Sequence, residues 1–433
     1  MSDFGAFVAR AAAEGELVVQ PRMGIGDPAA MRAGLAAVSA AGVRAAGTIT
    51  LDSFTRVGDH DAVRAALAAG DPLNGYPIVA YPPGTTREVV RGLVGDAFPV
   101  QVRHGSARPQ DIVVALLDAG LHATEGGPLS YCLPYSRVPV AEAVRAWAES
   151  CLLLAGPRER GGRPHLESFG GCMMGQLCPP SLLVAISVLE CLFFRQHGLG
   201  SVSLSYAQQT HPEQDAEAVL ALRTLAAEHL SDVDWHVVVY TYMGVYPRTR
   251  RGATALLERA AELAVRTGAE RLVVKTTAEA HRIPTVAENV TALRVASRAA
   301  ARARRGGPVD DAGAPRPRAL GRPVEDTGVL AEARALVEAV LDLAPDLGVA
   351  LVRAVDRGYL DVPYCLHPDN AGRTRAVVDG SGRLRWSRTG SLPLSGLVEN
   401  TGGGETTAAD LLRSLSHVER TFDGADLQPI GFG

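Results

Sequence analysis

SVSLSYAQQTHPEQDAEAVLALRTLAAEHLSDVDWHVVVYTYMGVYPRTRRGATALLERAAELAVRTGAERLVVKT, residues 201–276, contains the repeating unit of the fold. Three runs rich in β-branched and aromatic residues, 201–206, 235–242 and 271–276, enclose two stretches with apolar residues at helical spacing, 216–230 and 254–267. Strand, helix, strand, helix, strand implies parallel strands joined by crossover helices. The alternation continues toward the N-terminus, with β runs at 17–22, 48–52, 77–81, 98–104, 123–126 and 165–169. Helical stretches at 29–41, 110–119, 141–154 and 181–196 lie between them. The runs are short and often apolar throughout, the pattern of strands covered on both faces. Nine candidates fit a (β/α)8 TIM barrel with one run misread. An open doubly wound sheet is the alternative, but no GxGxxG follows the first run, which removes support for its dinucleotide-binding form.

The pattern breaks at 300–323, AARARRGGPVDDAGAPRPRALGRP, where Arg, Pro and Gly dominate. The chain therefore divides into a barrel at 1–304, a linker at 305–327 and a smaller C-terminal α+β region at 328–433. That region contains a helix at 330–342, two strands around an Asp-Gly turn within 373–388, and a last stretch at 400–433 with a Gly run and a helix at 408–415. A net charge of −4 argues against a nucleic-acid binder. The N-terminus lacks the charged-then-apolar order of a signal peptide. The longest apolar run, 181–194, contains Glu190 and is shorter than the ~18 residues of a membrane span. The six cysteines form no CxxC pair or zinc spacing, so buried thiols, no metal site and a cytoplasmic location are expected.

In a barrel of this type the chemistry lies at the C-terminal ends of the strands. The polar residues there are Arg22 (VVQPR), Arg56 (TLDSFTR), Arg103 and His104 (QVRHG), Glu125 (ATEGG), Glu167 (HLESFGG), Met243 and Tyr246 (YMGVYP), Lys275 (RLVVK) and Glu279. In so arginine-rich a chain any one arginine is expected to pair with a local carboxylate. Three at successive strand ends point instead to a substrate with more than one carboxylate, or to phosphate, since each guanidinium can fork an oxyanion. Glu125 would receive a substrate ammonium. Lys275 is the only lysine among 43 basic residues. At the end of a late strand it reads either as a Schiff-base amine or as the partner of Glu279. His104 reads as a hydrogen-bond donor rather than a metal ligand. Tyr131 and Tyr135, four apart around Pro134, are either two hydroxyls over the mouth or two packed aromatics. The Gly-rich run 169–181 suits close approach of a flat ligand.

The motifs QPRMG, LDSFTR, LNGYP, QVRHG, TEGGPLSYCLPYSR, ESFGG, PPS, YMGVYP and VKTTAEAHRIPT occur in one order. In that order the chain resembles the large catalytic subunit (epsilon, or E, subunit) of glutamate mutase, methylaspartate mutase. The resemblance is dense over 17–304 and weaker through LDVPYCLHPDNAG at 360–372. It implies a (β/α)8 barrel working with adenosylcobalamin, coenzyme B12, to interconvert L-glutamate and L-threo-3-methylaspartate by a radical rearrangement. By the same resemblance Arg22, Arg56 and Arg103 form an arginine claw on the substrate carboxylates, with Arg56 and Glu125 as catalytic positions. Glu125 accepts the ammonium, and His104, Tyr131 and Tyr135 are further substrate contacts. Gly24, Asn74, Pro134, Tyr246, Lys275, Glu279 and Ile283 fall at cofactor positions, and Glu167, Phe169 and Met243 at positions near the site. The cofactor would be shared with a small cobalamin-binding subunit carrying D-x-H-x-x-G, in a heterotetramer built on a homodimer of this chain. The only D-x-H here is Asp234–Trp235–His236, with Val239 where the glycine should be. The competing readings are a Schiff-base lyase or aldolase using Lys275, and a non-catalytic partner of a cobalamin carrier.

Overall fold

The computed structural model describes residues 3–156, 162–170, 177–305, 324–398 and 407–424. Eight parallel strands form one sheet: β1 (Val18–Gln20), β2 (Gly47–Thr50), β3 (Val100–Arg103), β4 (Ala123–Glu125), β5 (His165–Glu167), β6 (Ser201–Ala207), β7 (Asp234–Tyr240) and β8 (Arg271–Val273). Their order, β1-β8-β7-β6-β5-β4-β3-β2, leaves β1 and β2 at the two edges. Those edges meet through a parallel bridge between Val19 and Ala45, where Val19 N donates to Arg44 O at 2.9 Å and Ala46 N to Val19 O at 3.2 Å. The sheet is therefore a barrel, as the alternation implies.

Eight of the nine candidate runs are staves. The ninth, 77–81, is a turn in which Ala80 N and Tyr81 N both donate to Pro77 O. Pro77 has no N–H to give a ladder, and only the preceding Tyr76 touches the sheet, through an isolated bridge to Leu51.

Helix α1 (Phe4–Ala13) precedes the barrel. The outer ring is built from α2 (Pro28–Ser39), α3 (Ser53–Val57), α4 (His60–Ala69), α5 (Pro83–Val90), α6 (Gln110–Asp118), α7 (Val140–Ala155), α8 (Pro180–Gln196), α9 (Pro212–His229), α10 (Arg250–Thr267) and α11 (Val286–Arg305). Local chemistry sets several boundaries. Asp27 caps α2 by accepting from Ala30 N at 2.7 Å, with Pro28 at the first helical position. Gly268, at φ 70°, ends α10 in the left-handed conformation that glycine adopts without strain. The apolar run 181–194 is a core helix, buried on every side, because α12 (Val329–Leu341) and α13 (Leu347–Arg357) cover the side of α8 facing away from the sheet.

The expectation of strands apolar on both faces holds for the outward face only. Leu166, Val202, Val237 and Leu272 point to the helices. The inward face alternates with polar residues: Gln101 and Arg103, His165 and Glu167, Ser201 and Ser203, His236 and Tyr240. Successive side chains point to opposite faces, and the barrel interior is thus a polar column. Helix α1 closes its lower end, where the Phe4 ring stacks on His165 at 5.0 Å and lies 4.9 Å from the Arg271 guanidinium.

Beyond the linker, whose residues 306–323 lie outside the described set, β9 (Arg375–Val378) and β10 (Leu384–Arg388) pair antiparallel as expected. The Asp379 carboxylate organises their connecting loop by accepting from Ser381 N and Arg383 N. Helix α14 (Ala408–Leu415) has the predicted bounds. Helix α15 (His417–Gly424) follows, and its Val418 and Phe422 pack beside Tyr242 and Tyr246. The Gly run near 400 lies outside the described residues. The five described cysteines are free thiols, four of them buried. No helix among the described residues is long and apolar enough to cross a membrane.

Candidate active site

Arg103, Glu125, Glu167 and Tyr240 are the last residues of β3, β4, β5 and β7, and their side chains meet inside the mouth. Glu125 Oε2 accepts from Arg103 Nε at 2.6 Å and from the Tyr240 hydroxyl at 3.0 Å, while Oε1 accepts from the Tyr131 hydroxyl. Arg103 and Glu125 are only 4% and 2% exposed, so this is a charge pair out of water. Burial pushes the Glu125 carboxyl up; the Arg103 guanidinium opposes that, the neighbouring Glu167 charge adds to it, and the net direction is upward. The Arg103 guanidinium also lies 5.5 Å from the Phe169 ring and 5.1 Å from that of Tyr240, which fixes its plane.

His104 lies beside this pair, its ring stacked on Trp147 at 5.8 Å and edge-on to Tyr131 at 5.2 Å. Burial, then Arg56 and Arg103, hold its pKa down to about 3, so it is neutral. Its Nδ1 accepts from Ser106 N at 3.1 Å, which assigns the ring proton to Nε2. That Nε2 is buried and has no partner among the described residues. His104 therefore has a buried N–H to offer an acceptor.

A second group forms across the mouth. Arg22 pairs with Glu279 Oε2 at 2.9 Å, and Glu279 Oε1 accepts from Thr276 N at 2.9 Å. The Lys275 ammonium is 4.0 Å from the same Glu279 Oε2 and 4.2 Å from the Tyr246 ring centroid. These are contacts with a carboxylate and with an aromatic face. Arg56, on α3, is steadied by donating from Nε to Leu51 O at 3.1 Å. With Gly105, Pro134 and Tyr135 it lines a cavity of 1610 Å³ that α14 borders through Leu411 and Leu415.

The loop after β4 is held from below. Glu190, on α8, accepts from the backbone N–H groups of Leu129 and Ser130 at 3.0 and 2.9 Å. Gly126 (φ 130°) and Gly127 are required there, since a Cβ would meet the Tyr131 and Trp147 rings at the first and the Glu190 carboxylate at the second. The clamp aims Tyr131 inward onto Glu125. Tyr135 is half exposed, with its ring edge-on to Tyr131 at 6.2 Å. Gly24 passes close to the Asn74–Gly75 backbone, where a Cβ would lie 3.1 Å from Asn74 O, and Asn74 Oδ1 accepts from Ser53 N at 3.0 Å. Met243 is partly buried on the main core, and Ile283 is exposed on the rim.

Of the residues singled out in the sequence, the structure thus brings Arg103, His104, Glu125, Tyr131, Glu167 and Phe169 into one buried contact group. It brings Arg22, Tyr246, Lys275 and Glu279 into another. Arg56, Pro134 and Tyr135 stand together on the cavity wall, and Gly24 approaches Asn74. Ile283 and Met243 make no polar contact with either group. Of the Gly-rich run, residues 171–176 lie outside the described set. Tyr240, Trp147, Glu190 and Arg271 were missed. The signal for Tyr240 and Arg271 was the polar alternation of the strands, read as apolar runs. His236, of the D-x-H triplet, is buried inside β7 and accepts from Arg271 Nε at 3.3 Å, so it is no exposed metal ligand. No cluster of three His, Cys, Asp or Glu suited to a metal occurs among the described residues.

A (β/α)8 barrel with a buried arginine–carboxylate pair at the C-terminal ends of its strands is the framework of a barrel enzyme. Comparison with known proteins makes the class specific. The family model described as Methylaspartate mutase E chain (MutE) matches residues 1–407, and the chain belongs to that family of isomerase subunits. It is 29% identical over 357 residues to the glutamate mutase epsilon subunit of Yersinia enterocolitica, covering 80% of this chain and 72% of that one. To the glutamate mutase epsilon subunit of Halobacterium salinarum it is 31% identical over 353 residues, covering 80% and 71%. Among solved structures, phospho-2-dehydro-3-deoxyheptonate aldolase (DAHP synthase) of Thermotoga maritima superposes over 66% of this chain and 68% of its own, with a TM-score of 0.40 and 10% identity.

Proposed function

We propose that this chain is the large subunit of an adenosylcobalamin-dependent glutamate mutase that interconverts L-glutamate and L-threo-3-methylaspartate. The observation that carries the reading is the Arg103–Glu125 pair. It sets a cation and an anion side by side in a dry mouth, which is what an amino acid's own carboxylate and ammonium require. Arg22 and Arg56, from the two preceding strand ends, would complete the claw on the second carboxylate. Tyr131 and the Nε2–H of His104 would add neutral donors. Arg103 donates to Glu125 through Nε, which leaves its two terminal nitrogens for a bidentate carboxylate.

The residues on the other side of the mouth suit a nucleotide-bearing cofactor. The Lys275–Glu279 pair offers a donor and an acceptor to a ribose, and the glycine approach at Gly24 keeps that rim low. Pro134 and Ile283 would contact the cofactor from the rim. Adenosylcobalamin, when bound, supplies the radical by homolysis of its cobalt–carbon bond. This chain's task is to hold the reacting fragments by their carboxylates and to exclude water. A histidine ligand to the cobalt would come from a small D-x-H-x-x-G subunit, in a cytoplasmic heterotetramer. We assign binding and chemistry to 1–304 and a supporting role to 328–433 across the linker 305–327.

Within the reconstituted complex, Arg103→Lys is expected to lower kcat/KM for glutamate by about 10- to 100-fold, because a point charge cannot fork a carboxylate. Glu125→Gln is expected to raise KM for glutamate more than for a substrate analogue lacking the amino group. Unchanged kinetics in both variants would overturn the assignment of the pair to substrate.

A further inference from the structure

Below the mouth, Glu167 is fully buried and accepts four hydrogen bonds. Its Oε2 accepts from Arg271, from Gln101 Nε2 at 3.1 Å and from Ser203 Oγ at 3.2 Å, and its Oε1 from the Tyr240 hydroxyl. Arg271, also fully buried, spreads its guanidinium over Glu167, Gln20 Oε1 at 2.5 Å and Ser203 Oγ at 3.0 Å. Tyr240 is the joint between the two levels. Its one hydroxyl proton lies between Glu167 Oε1 and Glu125 Oε2, so it can serve only one carboxylate at a time. Glu125 and Glu167 are also direct neighbours in the β4–β5 register.

Among the described residues the charge inventory is therefore closed. Two carboxylates, Glu125 and Glu167, face two guanidiniums, Arg103 and Arg271. The other titratable groups turned toward Glu167 carry no charge. His165, on the same strand, is held down to about 3 by burial and by Arg271. His236 on β7 is lowered for the same reasons. The Tyr240 hydroxyl and the Cys191 thiol on α8 are both pushed up by burial. Two adjacent buried carboxylates stay ionised together only while each has its own cation.

Resting on the proposed function, we infer that Arg271 is a positioning residue for substrate binding: by holding Glu167 ionised it leaves Glu125 free of a shared proton and able to take the substrate ammonium. Without Arg271, one guanidinium would face two carboxylates joined through Tyr240. The couple would bind a proton from solvent, and part of that proton would fall on Glu125.

The test compares wild type with Arg271→Met, Arg271→Lys and the double variant Arg271→Met with Glu167→Gln. Each is assayed as the two-subunit holoenzyme with glutamate from pH 5 to 9. In Arg271→Met the acid limb of kcat/KM is expected to move to higher pH by about one unit or more, with the loss borne by KM and relieved at high pH. The double variant, with its charges balanced again, is expected to return the limb to the wild-type position, and Arg271→Lys to stay near it. No shift in Arg271→Met, or an equal shift in the double variant, would overturn the proposal and leave Arg271 a packing residue.

Thermal unfolding of the same full-length chains without substrate gives a readout independent of turnover. A buried, unpaired Glu167 has a raised pKa, so the stability of Arg271→Met should fall more steeply than that of wild type as pH rises above the ordinary carboxylate range, and that of the double variant should follow wild type. If no protein turns glutamate over and this pH dependence is still seen, the function is wrong and the network right. If the pH dependence is absent as well, the network falls too. Should Arg271→Met fail to fold, a folded double variant with the wild-type acid limb supports the balance of charges, and a displaced limb overturns it.

Discussion

Glu190 shows how a buried carboxyl sets the pH response of the molecule. Burial pushes it up to about 7, against the two backbone N–H donors of the loop it holds. A carboxyl raised in the folded state binds its proton more tightly there than in the unfolded chain. Its stabilising contribution is full at acid pH and is lost as pH rises from the ordinary carboxylate range through 7. Asp215, also raised to about 7 by burial, acts with the same sign. Melting temperature is thus expected to fall between pH 5 and 8, and Glu190→Gln to flatten the part due to Glu190, on the order of 3 kcal/mol. An unchanged pH dependence in that variant would contradict the assignment. His104 was legible in the sequence as a donor because it follows Arg103 at a strand end. Its tautomer was not, since that depends on Ser106 N, placed by the turn that follows. The same limit applied to Lys275. Its solitary survival marked the mouth, but the Tyr246 ring it packs against is remote in sequence.

The elements explain which parts of the site were readable. Strand ends could be read from β-rich runs followed by polar residues, and these gave Arg103, Glu125 and Glu167 directly. Tyr240 was hidden because it lies inside the run 235–242, WHVVVYTY, where the residues before it are nearly all apolar. Only the pleat, which turns His236 and Tyr240 to one face, makes it an interior residue. The run 77–81 misled for the converse reason. Its composition is strand-like, yet Pro77 takes its hydrogen bonds into a turn. Two elements that hold the site also carry predictions. Gly127→Ala drives a methyl into the Glu190 carboxylate and is expected to cost about 1–3 kcal/mol, read as a lowered denaturant midpoint with loss of activity. Phe4→Ala removes the ring that closes the lower end of the barrel over His165 and Arg271. It is expected to cost about 3–5 kcal/mol in the same assay while leaving KM for glutamate near the wild-type value in the folded fraction.

At the scale of the whole molecule, the barrel has two unlike ends. The lower one is closed by α1, and the upper one carries two charged groups with a cavity beside them. Arg103 with Glu125 stands on one side and Arg22 with Lys275 and Glu279 on the other, an arrangement that would give a substrate and a cofactor separate walls. The barrel was legible because strand–helix alternation is a periodic signal repeated along the chain. The polar column beneath the strand ends was not, because it is assembled from residues scattered over several strands, one or two to a run, among apolar neighbours. Helices α14 and α15 lie beyond residue 407, where the family match ends, and α15 packs against Tyr242 and Tyr246 at the rim. The most direct test of the central claim is to mix the purified chain with a small D-x-H-x-x-G protein, adenosylcobalamin and L-glutamate, and to follow 3-methylaspartate by NMR. The account predicts that the threo isomer forms only when both proteins are present. If none forms although the two proteins bind each other and the cofactor, or if borohydride traps a carbonyl substrate on Lys275, the account is contradicted.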